Sequence, residues 1–264
     1  MAAGPEAFAG AAEPLGQGGL TAVTELLGVG ASEVWAVLTV ETRGFGFLSD
    51  RRPAILFERH IFSRETTGRF DARAPDISSS QPGGYGGLGT AQYDRLARAI
   101  ALDRGAALRS ASWGIGQVMG FNALTAGFTD VEDMVAQMVA SEDAQLAGMA
   151  RWVLSARLHL ALRAHDWAGF ARGYNGPAYA QNRYDVRLAG AHAKLAVGPL
   201  PDLSVRAAQA YLTYLRYDPG PVDGLMGRLS RSALGEFQAA RGLPVSDNID
   251  AALLSNLRAT TVGS

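Results

Sequence analysis

The stretch Val34-Trp35-Ala36-Val37-Leu38-Thr39-Val40-Glu41-Thr42 reads as a helix with a carboxylate at its end. Ser32 is placed to cap it, and Val34, Val37 and Leu38 supply an apolar stripe. Gly44 and Gly46 interrupt the pattern, so the helix is expected to stop near Glu41. Outward from there, Leu20 to Leu27 predicts a short helix, preceded by an Ala/Gly/Pro-rich stretch, 1–19, read as a loose lead-in. Phe45 to Leu48 and Ala54 to Phe57, separated by the polar turn 49–53, predict the two strands of a hairpin. Asp71 to Gly89 is a Pro/Gly/Ser-rich loop. Helical spacing returns at Ala91 to Asp103 and from Thr129, where Thr129 and Glu132 form a capping box ahead of Met134, Val135 and Met138. Further helices are expected over Gln145 to Ala164, Asp166 to Arg172 and Arg183 to Ala196.

The 264 residues are 48% apolar and 19% charged, with a formal net charge of −1. That length admits one large domain or two unequal ones. A balanced charge supplies no general field for nucleic acid or an anionic membrane, and neither is expected as a partner. There is no cysteine, which excludes disulfides, thiol nucleophiles and Cys-ligated zinc. Met1 to Gly19 lacks a basic region followed by an apolar one, so the chain is expected to be made in the cytosol without a signal peptide.

The short run 198–202 is read as a linker, and 203–260 has a different texture: three small helices, near 205–214, 230–241 and 251–257, joined by tight loops. Val205-Arg206-Ala207-Ala208-Gln209, Tyr217-Asp218-Pro219-Gly220-Pro221-Val222-Asp223-Gly224, Ala233-Leu234 with Phe237-Gln238, and Gly242-Leu243 together resemble the three-helix peptidoglycan-binding domain of wall hydrolases. Gly220 and Gly224 suit turns of positive φ, Asp223 suits its own turn, and Leu212, Leu215, Leu234, Phe237 and Leu257 are expected in a core. The resemblance implies a ligand groove beside the Asp-Gly turn, exposing Tyr217, Asp223 and Arg228. The chain departs from the pattern at Arg228-Leu229-Ser230 and at Ser246-Asp247-Asn248.

A wall-directed chain without cysteine has no thiol-dependent peptidase or transpeptidase chemistry. The histidines, His60, His159, His165 and His192, show no metal-ligand spacing, so no metal is expected. Glycan cleavage remains, and it needs a carboxylic acid of raised pKa, usually with a second carboxylate. Glu41 closes an apolar run that would desolvate it. Glu58 follows Ala54-Ile55-Leu56-Phe57 and is flanked by Arg59 and His60, which favour its ionised form. The plainer readings are that Glu41 is a solvated helix-end residue and Glu58 an ion-pair partner. Asp71 and Asp76 are lesser candidates for the second carboxylate.

Val40-Glu41-Thr42 with Gly44, Gly46-Phe47-Leu48, Arg52-Pro53, Ile55 to His60 and Phe62 resemble the N-acetylmuramidase domain of phage endolysins. Ala111-Ser112-Trp113-Gly114, Gln117, Met119-Gly120, Asn122, Tyr174-Asn175-Gly176-Pro177 and Tyr179 match the same family in order, and a broader likeness to goose-type lysozymes and lytic transglycosylases lies in Glu41, Ser112/Gly114/Gln117 and Tyr174-Asn175. The resemblance, over 20–197, implies a mainly α protein: a lysozyme-like helical domain with a small β-hairpin lobe, then a separate three-helix wall-binding domain. It implies that Glu41 is the general acid and Glu58 the second carboxylate, in an endolysin that hydrolyses the β-1,4 bond between N-acetylmuramic acid and N-acetylglucosamine. From their chemistry, Gln117 and Asn175 suit N-acetyl and hydroxyl groups, while Trp113, Tyr174 and Tyr85 suit sugar faces, with core packing an equal alternative for Trp113. Ser112 belongs to the same substrate-binding motif, with a structural role expected for it and for Gly114. No cofactor is implied, the chain is expected to be a monomer, and release to the wall is assigned to a separate permeabilising protein. The rival readings are a lytic transglycosylase, which needs Glu41 alone, and a non-catalytic wall-binding protein.

Overall fold

The computed structural model describes residues 8–42 and 44–262, so the first seven residues of the expected lead-in lie outside the described residues. Thirteen α-helices surround a single three-stranded antiparallel sheet among the described residues: α1 (Gln17–Leu27), α2 (Ala31–Thr42), β1 (Ile55–Phe57), α3 (Arg59–Glu65), α4 (Ala91–Ile100), α5 (Arg104–Arg109), β2 (Ala111–Trp113), β3 (Val118–Met119), α6 (Val131–Ala140), α7 (Glu142–Ser155), α8 (His159–Arg163), α9 (Trp167–Asn175), α10 (Tyr184–Leu195), α11 (Leu203–Tyr214), α12 (Arg228–Ala240) and α13 (Ala251–Val262). Two hydrophobic cores result, one around α2, α7 and the sheet, the other around α11 to α13. No single helix among the described residues is long and apolar enough to cross a membrane; the apolar α1–α2 pair is bent by 106°.

Several local expectations change. Residues 8–16 are not loose: Phe8, Ala12 and Leu15 are buried, and Glu13 bridges to Ser141 with its N–H on Ala140 O at 2.9 Å. Small residues let this segment lie close against α6 and α7, which composition alone reads as flexibility. The 45–57 hairpin is short, with one bridge, Phe47 to Pro53, flanked by Leu48 N to Arg52 O and Ala54 N to Gly46 O at 2.8 Å each, and beyond it β1 pairs with β2 in the register Ile55 to Trp113 and Phe57 to Ala111. The cap of α6 lies one residue later than expected, with Asp130 accepting from Asp133 N at 2.9 Å. The helix expected over 145–164 breaks where Arg157 adopts φ +60, giving α7 and α8.

Arg206 and Glu142 lie wholly buried between the two cores. Glu142 also accepts from Leu15 N and Gly46 N, each at 2.8 Å, and the Arg206 guanidinium donates to Gly44 O. Arg206→Ala leaves a buried carboxylate without its counter-charge and is expected to cost about 3–5 kcal/mol in chemical unfolding.

Candidate active site

Helix α2 buries Val34 to Leu38 and Val40, so its last turn emerges from an apolar interior with Glu41 on it. Burial raises the Glu41 carboxyl above the usual range, and the negative end of the helix dipole acts in the same direction. Two groups temper this: Asn175 Nδ2 donates to Glu41 Oε1 at 3.0 Å, and the Arg187 guanidinium stands nearby. Arg187 is itself fixed by donating to Val40 O at 2.9 Å. Asn175 closes α9 because Gly176 takes φ +81, a conformation that a side chain would strain. Asn175 Oδ1 is buried without a partner, an acceptor left over beside the acid. The neighbouring Tyr174 hydroxyl donates to Gly116 O at 2.5 Å, and its ring stacks on Phe170. Burial first and the Glu41 charge second push that phenol far above its ordinary pKa. Thr42 Oγ1 donates to Ile115 O at 3.1 Å, tying the end of α2 to the β2–β3 turn.

Glu58 leaves the other end of that sheet. Its N–H bonds Ser110 O at 2.9 Å, next to the Phe57–Ala111 pair. Burial raises its carboxyl too; His60, whose Nδ1 lies 3.1 Å from Oε2, and a hydrogen bond with Tyr85 pull it back without cancelling the rise. The expectation that Arg59 and His60 would favour the ionised form therefore holds only for His60, and burial outweighs it. Arg59 turns away to Gln81 O at 3.1 Å. Tyr85 reaches Glu58 because Gln92, fully buried, accepts from Phe57 N at 3.0 Å and donates to Tyr85 O and Gly87 O at 2.8 and 2.6 Å. Nothing local in the sequence marks Gln92, which shares the first turn of α4 with Asp94.

Two carboxyls that burial raises, Glu41 at the end of α2 and Glu58 after β1, thus stand at opposite ends of one small sheet. Residues 30–196 match the N-acetylmuramidase family. The chain belongs to that family. It is a peptidoglycan-cleaving glycoside hydrolase. Residues 202–257 match the peptidoglycan-binding domain family. Among solved structures, the chain is similar to the endolysin of Burkholderia phage AP3, with 41% identity, a TM-score of 0.64, and coverage of 70% of this chain and 71% of that one. No curated protein matches the chain.

Within the muramidase domain the remaining predicted residues divide into surface and support. Trp113 is 0% exposed, donates its indole N–H to Leu108 O at 3.1 Å and packs on Phe8, so the core alternative is the one realised and no sugar face reaches it. Ser112 is buried and donates to Gln117 Oε1 at 2.8 Å. Gln117 in turn donates to Ala54 O and Gly114 O at 3.1 and 2.8 Å, from a left-handed backbone at φ +46. Its amide holds the β2–β3 turn against the segment before β1. Gln117 and Tyr174 line a small cavity of about 60 Å³ with Gly116, Asn122 and Trp152. Asp71 accepts from Ser63 and Ser78 hydroxyls, and exposed Asp76 is paired with Arg98, whose hydrogen bond lowers its pKa.

In the wall-binding module, Asp223 accepts from Leu225 N at 2.9 Å and from Gln209, whose Oε1 receives Asp223 N and Gly224 N. Buried Gln209, absent from the sequence-based candidates, therefore organises the Asp-Gly turn. Tyr217 sets its ring edge-on to Phe237, and Arg228 is exposed. A cavity of about 330 Å³ lies at the other end of the module, lined by Gln238, Ser246, Asn248, Asp250 and Asn256. It includes the segment where the sequence departs from the family pattern.

A buried carboxyl with a raised pKa favours the native state while protonated and loses that contribution as pH rises through the folded pKa. Glu41→Gln keeps the shape and cannot ionise. Its thermal midpoint at neutral pH is expected to equal or exceed that of the wild type, and a lower midpoint by calorimetry would contradict this account of the site.

Proposed function

We propose that the chain hydrolyses the β-1,4 bond between N-acetylmuramic acid and N-acetylglucosamine, with Glu41 as general acid and Glu58 as second carboxylate. The observation that carries the reading is the asymmetric setting of Glu41. An N–H donor at Oε1 opposes protonation there, so the proton, whose affinity burial raises, resides on Oε2. On transfer to the glycosidic oxygen the Glu41 carboxylate is left with the Asn175 hydrogen bond and the Arg187 charge, both of which favour the ionised form. Asn175 Oδ1 suits a substrate N–H or O–H, and Tyr85, beside Glu58, suits a sugar face. Glu58 with His60 supplies the charge-holding partner that the oxocarbenium-like transition state needs. The wall-binding module would hold the glycan through Tyr217 and Arg228. As in a phage endolysin, the chain would accumulate in the host cytosol, reach the wall through a separate permeabilising protein and lyse the cell.

One observation favours a second reading. Glu41 and Glu58 draw on separate partners and are anchored at opposite ends of β2. A lytic transglycosylase needs only the acid, with the sugar's own C6 hydroxyl as the nucleophile. Mass spectrometry of fragments from purified peptidoglycan separates the two. Glu41→Gln is expected to lower the rate by about 10²–10⁴-fold in either case. Reducing N-acetylmuramic ends whose release falls sharply in Glu58→Gln support hydrolysis by both carboxylates, whereas anhydro ends made equally by Glu58→Gln would replace that reading with the transglycosylase.

The pH profile supplies a further check. Activity falls on the alkaline side as Glu41 ionises, and Arg187 lowers the Glu41 pKa. In Arg187→Met the alkaline limb is expected to move to higher pH, measured as lysis rate across buffers of constant ionic strength.

A further inference from the structure

Far from the sheet, three helix ends bring together side chains that sequence spacing keeps apart. Glu33 lies in the first turn of α2, His165 between α8 and α9, and His192 in the last turn of α10. Both imidazoles direct Nε2 to the same oxygen, Glu33 Oε1, at 2.7 Å for His165 and 3.0 Å for His192, and the three donor atoms lie within 4.8 Å of one another. We propose that Glu33, His165 and His192 form a binding site for a divalent cation of the zinc class.

The donor chemistry selects the ion: two imidazole nitrogens and one carboxylate oxygen suit zinc, whereas magnesium and calcium prefer oxygen alone. Tetrahedral ligands at about 2.0–2.1 Å from zinc are separated by about 3.3 Å, so the Glu33–His distances open by only about half an ångström on binding. The carboxylate is already oriented, because Ser32 Oγ donates to Glu33 Oε2 at 3.0 Å and leaves Oε1 to face the histidines. Trp167 stacks flat on His165, with ring centroids 5.4 Å apart and planes 6° apart, and lies 5.0 Å from His192, which fixes both imidazoles. His165 is held there from a left-handed backbone at φ +53. Its side chain stays half exposed, which leaves a path for the ion and a fourth position for water.

Glu33 and Glu41 are eight residues apart on α2, about 12 Å along the axis, so the ion does not reach the scissile bond. Its place is structural. The other ends of the same three helices carry Glu41, Asn175 and Arg187, and the ion joins α2, α9 and α10 where they diverge from the acid.

The test is calorimetric titration of the chelator-treated full chain with Zn²⁺, with Mg²⁺ as control, on wild type, His192→Ala and His165→Gln. The expected result is one zinc per wild-type chain, no magnesium, and at least a tenfold weaker affinity in each variant. At zinc near 100 times Kd, the folded-to-unfolded ratio of the wild type should rise about 100-fold, read as a higher thermal midpoint that the variants do not show. Because His165 is half exposed, His165→Gln keeps the test intact even if His192→Ala does not fold. Less than one zinc per wild-type chain, or wild-type affinity in His165→Gln, would overturn the site, and either result leaves the assignment of Glu41 untouched.

Discussion

The buried pair of Glu142 and Arg206 is the joint on which the arrangement of both domains rests. Ion pairs out of water are costly unless their remaining hydrogen-bonding capacity is met. Here it is met by the Leu15 N–H of the N-terminal segment and by the Gly46 N–H and Gly44 O of the strip after α2. The guanidinium also lies 5.6 Å from the centroids of both Trp35 and Phe45. Because Gly44 and Gly46 begin three residues beyond Glu41, the same clamp fixes how the chain leaves the acid-bearing helix. A Cβ at Gly46 would run into Gln145 and Ile115, so the strip passes there only as glycine.

The second core extends this joint, since Ala12 and Phe47 of the first 50 residues are buried among α11 to α13. Tyr211 and Tyr214 hydroxyls donate to Glu13 and to Ala12 O at 2.9 and 3.0 Å, and Arg258 pairs with Glu13. The wall-binding module is docked through these contacts, although residues 197–200, on the segment that joins the two domains, are exposed. Docking fixes the orientation of the module relative to the muramidase domain. A flexible tether would instead raise local concentration without orienting the module.

What the sequence makes legible follows from how local each cause is. The apolar run of α2, the stripe of α6 and the turn glycines of the C-terminal module are set by neighbours a few positions away, and these elements stand close to where periodicity places them. The pairing of Ile55 with Trp113 is set by residues far along the chain, so a local turn at 49–53 suggested a hairpin partner that the sheet does not use. Glu58 shows the same limit in electrostatics: the adjacent Arg59 and His60 imply an ionised group, but Arg59 turns to the 75–81 loop and desolvation dominates. Arg206 reads as one charge on an amphipathic helix, with no sign of its buried partner 64 residues earlier. Gln92, Gln117 and Gln209 belong to this class too. Each is a lone amide whose role is to satisfy backbone groups of a distant turn.

Glu41, the proposed acid, illustrates why that distant framework matters for chemistry. Burial and the helix terminus drive the Glu41 carboxyl toward the protonated form, while Asn175 and Arg187 draw it back, so its proton affinity is a difference between opposed effects. Each opposing group comes from a different helix, α9 and α10, packed against α2. A shift of any of the three thus alters that balance. Electrostatic tuning of this kind therefore requires helices held rigidly at both ends, by Thr42, Arg187 and Tyr174 near the acid and by the Glu33–His165–His192 cluster at the far end. The all-round apolar character of α2 serves both needs, since the same buried faces that desolvate Glu41 are those through which the helix is gripped.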